Sequence, residues 1–91
     1  MNEEDEGLIL TVRSQIAALA QLVSQVTERQ LPRAHSLRNQ AHALLRDVVK
    51  GLDQILVGIK ENRIPRIIGL ALAAQGQAAI ASVENAGFNP S

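Results

Sequence analysis

The side chains able to do chemistry in this chain are few, and their spacing limits what they can do. His35 and His42 are its two imidazoles. On one helix, seven residues is about 10.5 Å along the axis, whereas two helical ligands of one ion sit at i and i+4. A metal site therefore needs Glu84 or a second chain to join, and none is expected. Ser36 follows His35, but adjacent helical positions point about 100° apart, so the histidine cannot activate that hydroxyl as a nucleophile requires. Glu3, Glu4, Asp5 and Glu6 are four clustered carboxylates expected at an exposed terminus, not a pair set in a cleft. The run from Gly69 to Gly76 (GLALAAQG) lacks the lysine and the preceding strand of a phosphate loop. The absence of cysteine excludes disulfides, thiolate zinc sites and a cysteine nucleophile. No catalytic, cofactor-binding or metal residue is assigned, no cofactor is expected, and the expectation is a protein that is not an enzyme.

One charged stripe remains. His35, His42, Arg46 and Lys50 share a flank of the second predicted helix, with Asp53 beside them and Arg38 at the edge. A polyanion contact is its functional reading, and a solvated face is the one expected. Formal net charge is zero and Phe88 is the one aromatic. The chain thus has neither the overall field that draws a protein to nucleic acid nor the rings that stack on bases. Nucleic acid is not an expected partner.

Three helices position these residues. The first is predicted over about residues 5–29, with the acidic run where negative charge suits a helix N-terminus. Ile9, Val12, Ile16, Leu19, Val23 and Val26 alternate steps of three and four, and Leu8 and Leu22 widen the seam. Pro32 breaks the chain because proline disfavours helical geometry at Leu31. The second helix is predicted over about 33–61 with a core stripe of Ala34, Leu37, Ala41, Leu44, Val48, Leu52, Ile55 and Ile59, joined by Leu45 and Leu56. Gly51 and Gly58 each cost about 1 kcal/mol relative to alanine, and lacking side chains they can admit a close neighbour. Asn62 and Pro65 mark the next break, with Pro65 opening a helix over about 65–86, followed by a tail, 87–91. Tight turns make the first two helices antiparallel. That register places Glu3–Glu6 near Lys60, Arg63 and Arg66, and Glu84 near His42 or Arg46.

The third helix is the most informative segment. From Ile67 to Val83 it contains no charge, and a helix apolar on every side must be covered by protein or lipid. One face holds Ile67, Leu70, Ala71, Ala74, Ala78 and Ala81, and is expected to dock on the other two helices. The other holds Ile68, Leu72, Gly76, Ala79 and Val83 and is left for a partner, with Phe88 of the tail as a candidate anchor.

These readings converge on an all-α fold comprising a single domain, 1–91. It is a three-helix antiparallel bundle, or an extended helical hairpin plus a third helix, assembling into a larger helical oligomer. The expected function is a non-catalytic interaction and self-assembly module whose partner is a second copy or another helical protein. Its interface residues are Ile68, Leu72, Gly76, Ala79, Val83 and Phe88. Two alternatives stand beside it: a small helical partner or chaperone of an exported effector, and a small membrane-active protein inserting helix 65–86. The latter's charge-free run falls just short of the roughly 20 residues needed to span a bilayer. The acidic start is the reverse of a basic signal-peptide opening, so a cytoplasmic location is expected.

Overall fold

The computed structural model describes residues 1–28 and 34–86, and the side chains of 1–25 and 38–86. Three helices follow one another: α1 (Glu3–Glu28), α2 (Ala34–Lys60) and α3 (Arg66–Asn85). Each packs against both others in a rod-like bundle of 46 × 22 × 20 Å. The all-α three-helix arrangement read from the sequence is the one observed. The predicted break at Leu31 and Pro32, the tail with Phe88, and the side chains of Val26, Ala34, His35, Ser36 and Leu37 lie outside the described residues.

The helix ends have local causes. α1 begins two residues earlier than predicted because Asn2 caps it. The Asn2 Oδ1 accepts a hydrogen bond from the Asp5 N–H at 2.8 Å, and the Asn2 carbonyl accepts from the Glu6 N–H at 3.0 Å. An asparagine cap of this kind satisfies a donor that the first turn leaves without a helical partner. α2 ends at Lys60 and is closed by Asn62, which has φ 60°, the left-handed region that asparagine tolerates. The Arg63 N–H then reaches back to the Gly58 carbonyl at 2.8 Å and the Asn62 N–H to that of Ile59 at 3.1 Å. This is the Schellman pattern of closure. Pro65 precedes α3 as its N-cap, with ψ 132°, so α3 starts one residue later than expected.

Among the described residues the core is aliphatic. From α1 it takes Ile9, Val12, Ile16, Leu19 and Leu22; from α2, Ala41, Leu45, Val48, Leu52 and Ile55; from α3, Leu72, Ala79 and Val83. Leu8, Val23, Leu44 and Ile59 pack at its edges. Ile64, in the turn before α3, is also buried. It sits on Gly58, where an added methyl group would lie 2.5 Å from Ile64 Cδ1.

Glycines set the closest approaches. A methyl group at Gly51 would lie 2.6 Å from Cγ2 of Val12 on α1, and one at Gly76 would lie 2.7 Å from Cδ1 of Leu52 on α2. Gly69 likewise receives Ile59 and Ile55. Each glycine is a notch for a branched side chain on a neighbouring segment. These notches also explain why Leu56, predicted in the core stripe, is 46% exposed. Burial of Gly51 and Gly58 turns the contact face of α2 towards the glycine side, and Leu56, at the opposite margin of the stripe, is rotated out.

Candidate interaction surface

α3 buries Gly69, Leu72, Gly76, Ala79 and Val83 against the rest of the chain. The structure therefore reverses the two faces assigned from the sequence. Of the six expected interface residues, Leu72, Gly76, Ala79 and Val83 belong to the chain's own core, and Phe88 lies outside the described residues. Ile68 alone is on the surface, 39% exposed. The face expected to dock is the exposed one: Ile67 is 85% exposed and Leu70 44%, with Ala71, Ala74, Ala78 and Ala81 also exposed. The physical reason is shape. Both faces are apolar, so hydrophobicity does not choose between them. The glycine-bearing face lets the backbone of α3 settle over Ile55, Ile59 and Leu52, which a face carrying Ile67 and Leu70 cannot do.

The outward side of α3 thus shows water a strip of uncharged side chains, aliphatic and small apart from Gln75 and Gln77, bounded by Arg66 and Glu84. It continues onto α1 at one end. Leu10 is 60% exposed and lines a shallow groove of about 290 Å³ with Met1, Glu6, Ile9, Arg13 and Ile68. Beyond Arg13, the exposed residues of α1 up to Gln25 are uncharged. The outer side of α2 differs: its half-exposed Val49 and Val57 are interspersed with the exposed charges Arg46, Lys50 and Asp53.

The polar chemistry lies at the α2–α3 turn. Arg63 Nη1 donates to Asp5 Oδ1 at 2.5 Å and Arg63 Nε to Glu61 Oε1 at 2.9 Å. Of the expected approach of the acidic run to Lys60, Arg63 and Arg66, it is this Asp5–Arg63 pair that forms. The Glu61 hydrogen bond raises the Arg63 pKa from its ordinary value; desolvation opposes it, and the nearby Asp5, Glu61 and Glu4 charges add to the rise. The guanidinium is permanently charged. Asp5 is not the exposed carboxylate expected: it is 1% exposed, and its Oδ2 is buried without a hydrogen-bond partner. A groove of about 440 Å³ opens beside the pair, between Leu8 and Val57.

The remaining candidates do not come together. Glu84 forms no ion pair with His42 or Arg46 among the described residues. His42 is half-buried, and Arg38, Arg46, Lys50 and Asp53 are exposed. Among the described residues no three His, Cys, Asp or Glu side chains are placed to hold a metal ion. The surface on α3 and the buried Asp5 are the two features sequence reasoning misplaced. The signals for them were the seven-residue spacing of Gly69 and Gly76, and the register that brings Arg63 to the acidic run.

The class of molecule defined by this architecture is an aliphatic three-helix bundle with one uncharged outer side. Comparison with known protein families, characterised proteins and solved structures finds no match in any of the three.

Proposed function

We propose that this chain is a non-catalytic helical module for protein–protein interaction and self-assembly, acting through the outward side of α3 and the adjoining end of α1. One observation carries the reading. α3 packs inward through its glycine face and leaves Ile67, Ile68 and Leu70 at the surface, on a helix with no charge between Arg66 and Glu84. Single exposed aliphatic residues are ordinary on a soluble protein. A continuous uncharged strip with aliphatic residues at one end is the kind of surface that marks an interaction site. The test is light scattering on a size-exclusion column, without detergent, over a hundredfold range of concentration. A defined dimer or larger species supports self-assembly, and a monomer at every concentration refutes it.

A membrane-active reading has its own support. α1 over Glu3–Gln25 and α3 over Arg66–Asn85 are each long and apolar enough to cross a bilayer by length and composition. Core helices of soluble bundles meet the same criterion, and the α1 stretch holds four acidic residues in its first turn and Arg13. Flotation with liposomes separates the readings: recovery of the chain with lipid favours insertion, and recovery in the aqueous fraction favours the protein interface.

A further inference from the structure

We propose that the outward face of α3 pairs with α3 of a second copy, antiparallel across a twofold axis near Gln75–Gln77; this rests on the self-assembly reading above. Three observations lead to it. First, the exposed residues Ile67, Ala71, Ala74, Ala78, Ala81 and Asn85 alternate steps of four and three, the seam that lets two helices lie along each other. Second, Arg66 and Glu84 bound this seam. They are 18 residues apart, about five turns, so they share one flank at opposite ends. Both are exposed and neither makes an ion pair within its own chain among the described residues. Antiparallel pairing sets each Arg66 near the partner's Glu84, whereas parallel pairing leaves them at opposite ends and on opposite flanks of the contact. Third, the strip is uneven. Ile67, Ile68 and Leu70 lie at one end, and Ala74, Ala78 and Ala81 occupy the rest. Antiparallel pairing seats the bulky end of each copy on the alanine end of the other. Parallel pairing opposes bulk to bulk and separates the alanines.

The result is an isologous contact, the commonest kind in homodimers. Its area is modest. A 20-residue helix is about 30 Å long and, with side chains, about 10–12 Å wide, which places the contact in the small, dissociable class. The dimer accordingly forms and separates with concentration.

The chain contains no cysteine, so single introduced thiols report the geometry directly. In the full chain, Ala78→Cys close to the axis should cross-link to itself through a short bis-maleimide. Ile67→Cys lies about 27 Å along the axis from its copy in the antiparallel arrangement. It should cross-link only when mixed with Asn85→Cys. Self-cross-linking of Ile67→Cys as efficient as that of Ala78→Cys overturns the antiparallel geometry while leaving self-assembly intact. Absence of cross-links at all three positions, with a monomer in light scattering, removes both. As a second readout, Arg66→Glu or Glu84→Arg should weaken the dimer about two- to thirtyfold, since two exposed pairs are lost and each is modest. The double exchange R66E/E84R should restore it. A dimer indifferent to the single exchanges overturns the pairing.

Discussion

Replacing glycine by alanine at two positions isolates what the notches contribute to this bundle. Gly7 and Gly51 both lie inside helices. At Gly7 an added methyl group meets nothing within 4 Å, whereas at Gly51 it lies 2.6 Å from Val12 Cγ2. Carbon atoms in favourable contact are about 3.5–4.0 Å apart, so Val12 or the α1 backbone must yield by about 1 Å. Val12 is fully buried and β-branched, with one strongly preferred helical rotamer, so it cannot swing aside. Alanine gains up to about 1 kcal/mol of helix propensity at each site. That gain is common to both variants and largely cancels in their difference. What remains is the overpacking cost, about 1–3 kcal/mol. Gly7→Ala is therefore expected to stabilise the chain, and Gly51→Ala to fall below Gly7→Ala by about 1–3 kcal/mol. Urea unfolding followed by circular dichroism at 222 nm measures both, at a protein concentration where the chain is monomeric. Equal stabilisation by the two substitutions would refute the idea that Gly51 seats Val12.

Further outcomes follow from the same geometry. Leu72→Ala should cost about 2–5 kcal/mol, a large share of the roughly 5–14 kcal/mol expected for a domain of this length. Leu70→Ala should stay within about 0.5 kcal/mol in the monomer; equal costs in urea melts would contradict the reversal of the two α3 faces. Asn62→Gly should be neutral or stabilising and Asn62→Ala should lose about 1–2 kcal/mol, because a Cβ is disfavoured at positive φ. A thermal melt in which alanine matches glycine there would argue against the left-handed closure of α2. Arg63→Ala leaves the buried Asp5 carboxylate without its cation. The single variant should melt below the double variant Asp5→Asn/Arg63→Ala, and the reverse order would show that Asp5 is solvated rather than buried.

Legibility in the sequence differs from helix to helix, and the differences have causes. α1 was readable because its large branched residues recur in steps of three and four while small and polar residues fill most of the other side, so period locates Ile9, Val12, Ile16 and Leu19. The Asn62 closure was readable because its chemistry is local. Ile64 was missed because a turn residue belongs to no period, and its burial depends on Gly58 leaving space six residues earlier. Asp5 was misplaced because its partner is 58 positions away; register brought Arg63 near, but burial depends on how the three helices pack around that end of the bundle.

α3 is where hydrophobicity stops discriminating. With apolar residues on both faces, period alone does not choose between them. The bundle uses the face on which Gly69 and Gly76 allow Ile59, Ile55 and Leu52 to enter. The choice has a consequence at the surface. Because the small residues are used to seat neighbours inside, the larger aliphatic residues at the start of α3 are displaced outward, leaving Ile67 85% exposed. Had the opposite face been buried, the outside would carry Gly69 and Gly76, which offer little apolar area to a partner. The packing that makes the bundle close thus also creates the uncharged strip. The residues that bring α3 against α2 are therefore not those that would meet another molecule, and mutations on the two faces should separate folding from assembly.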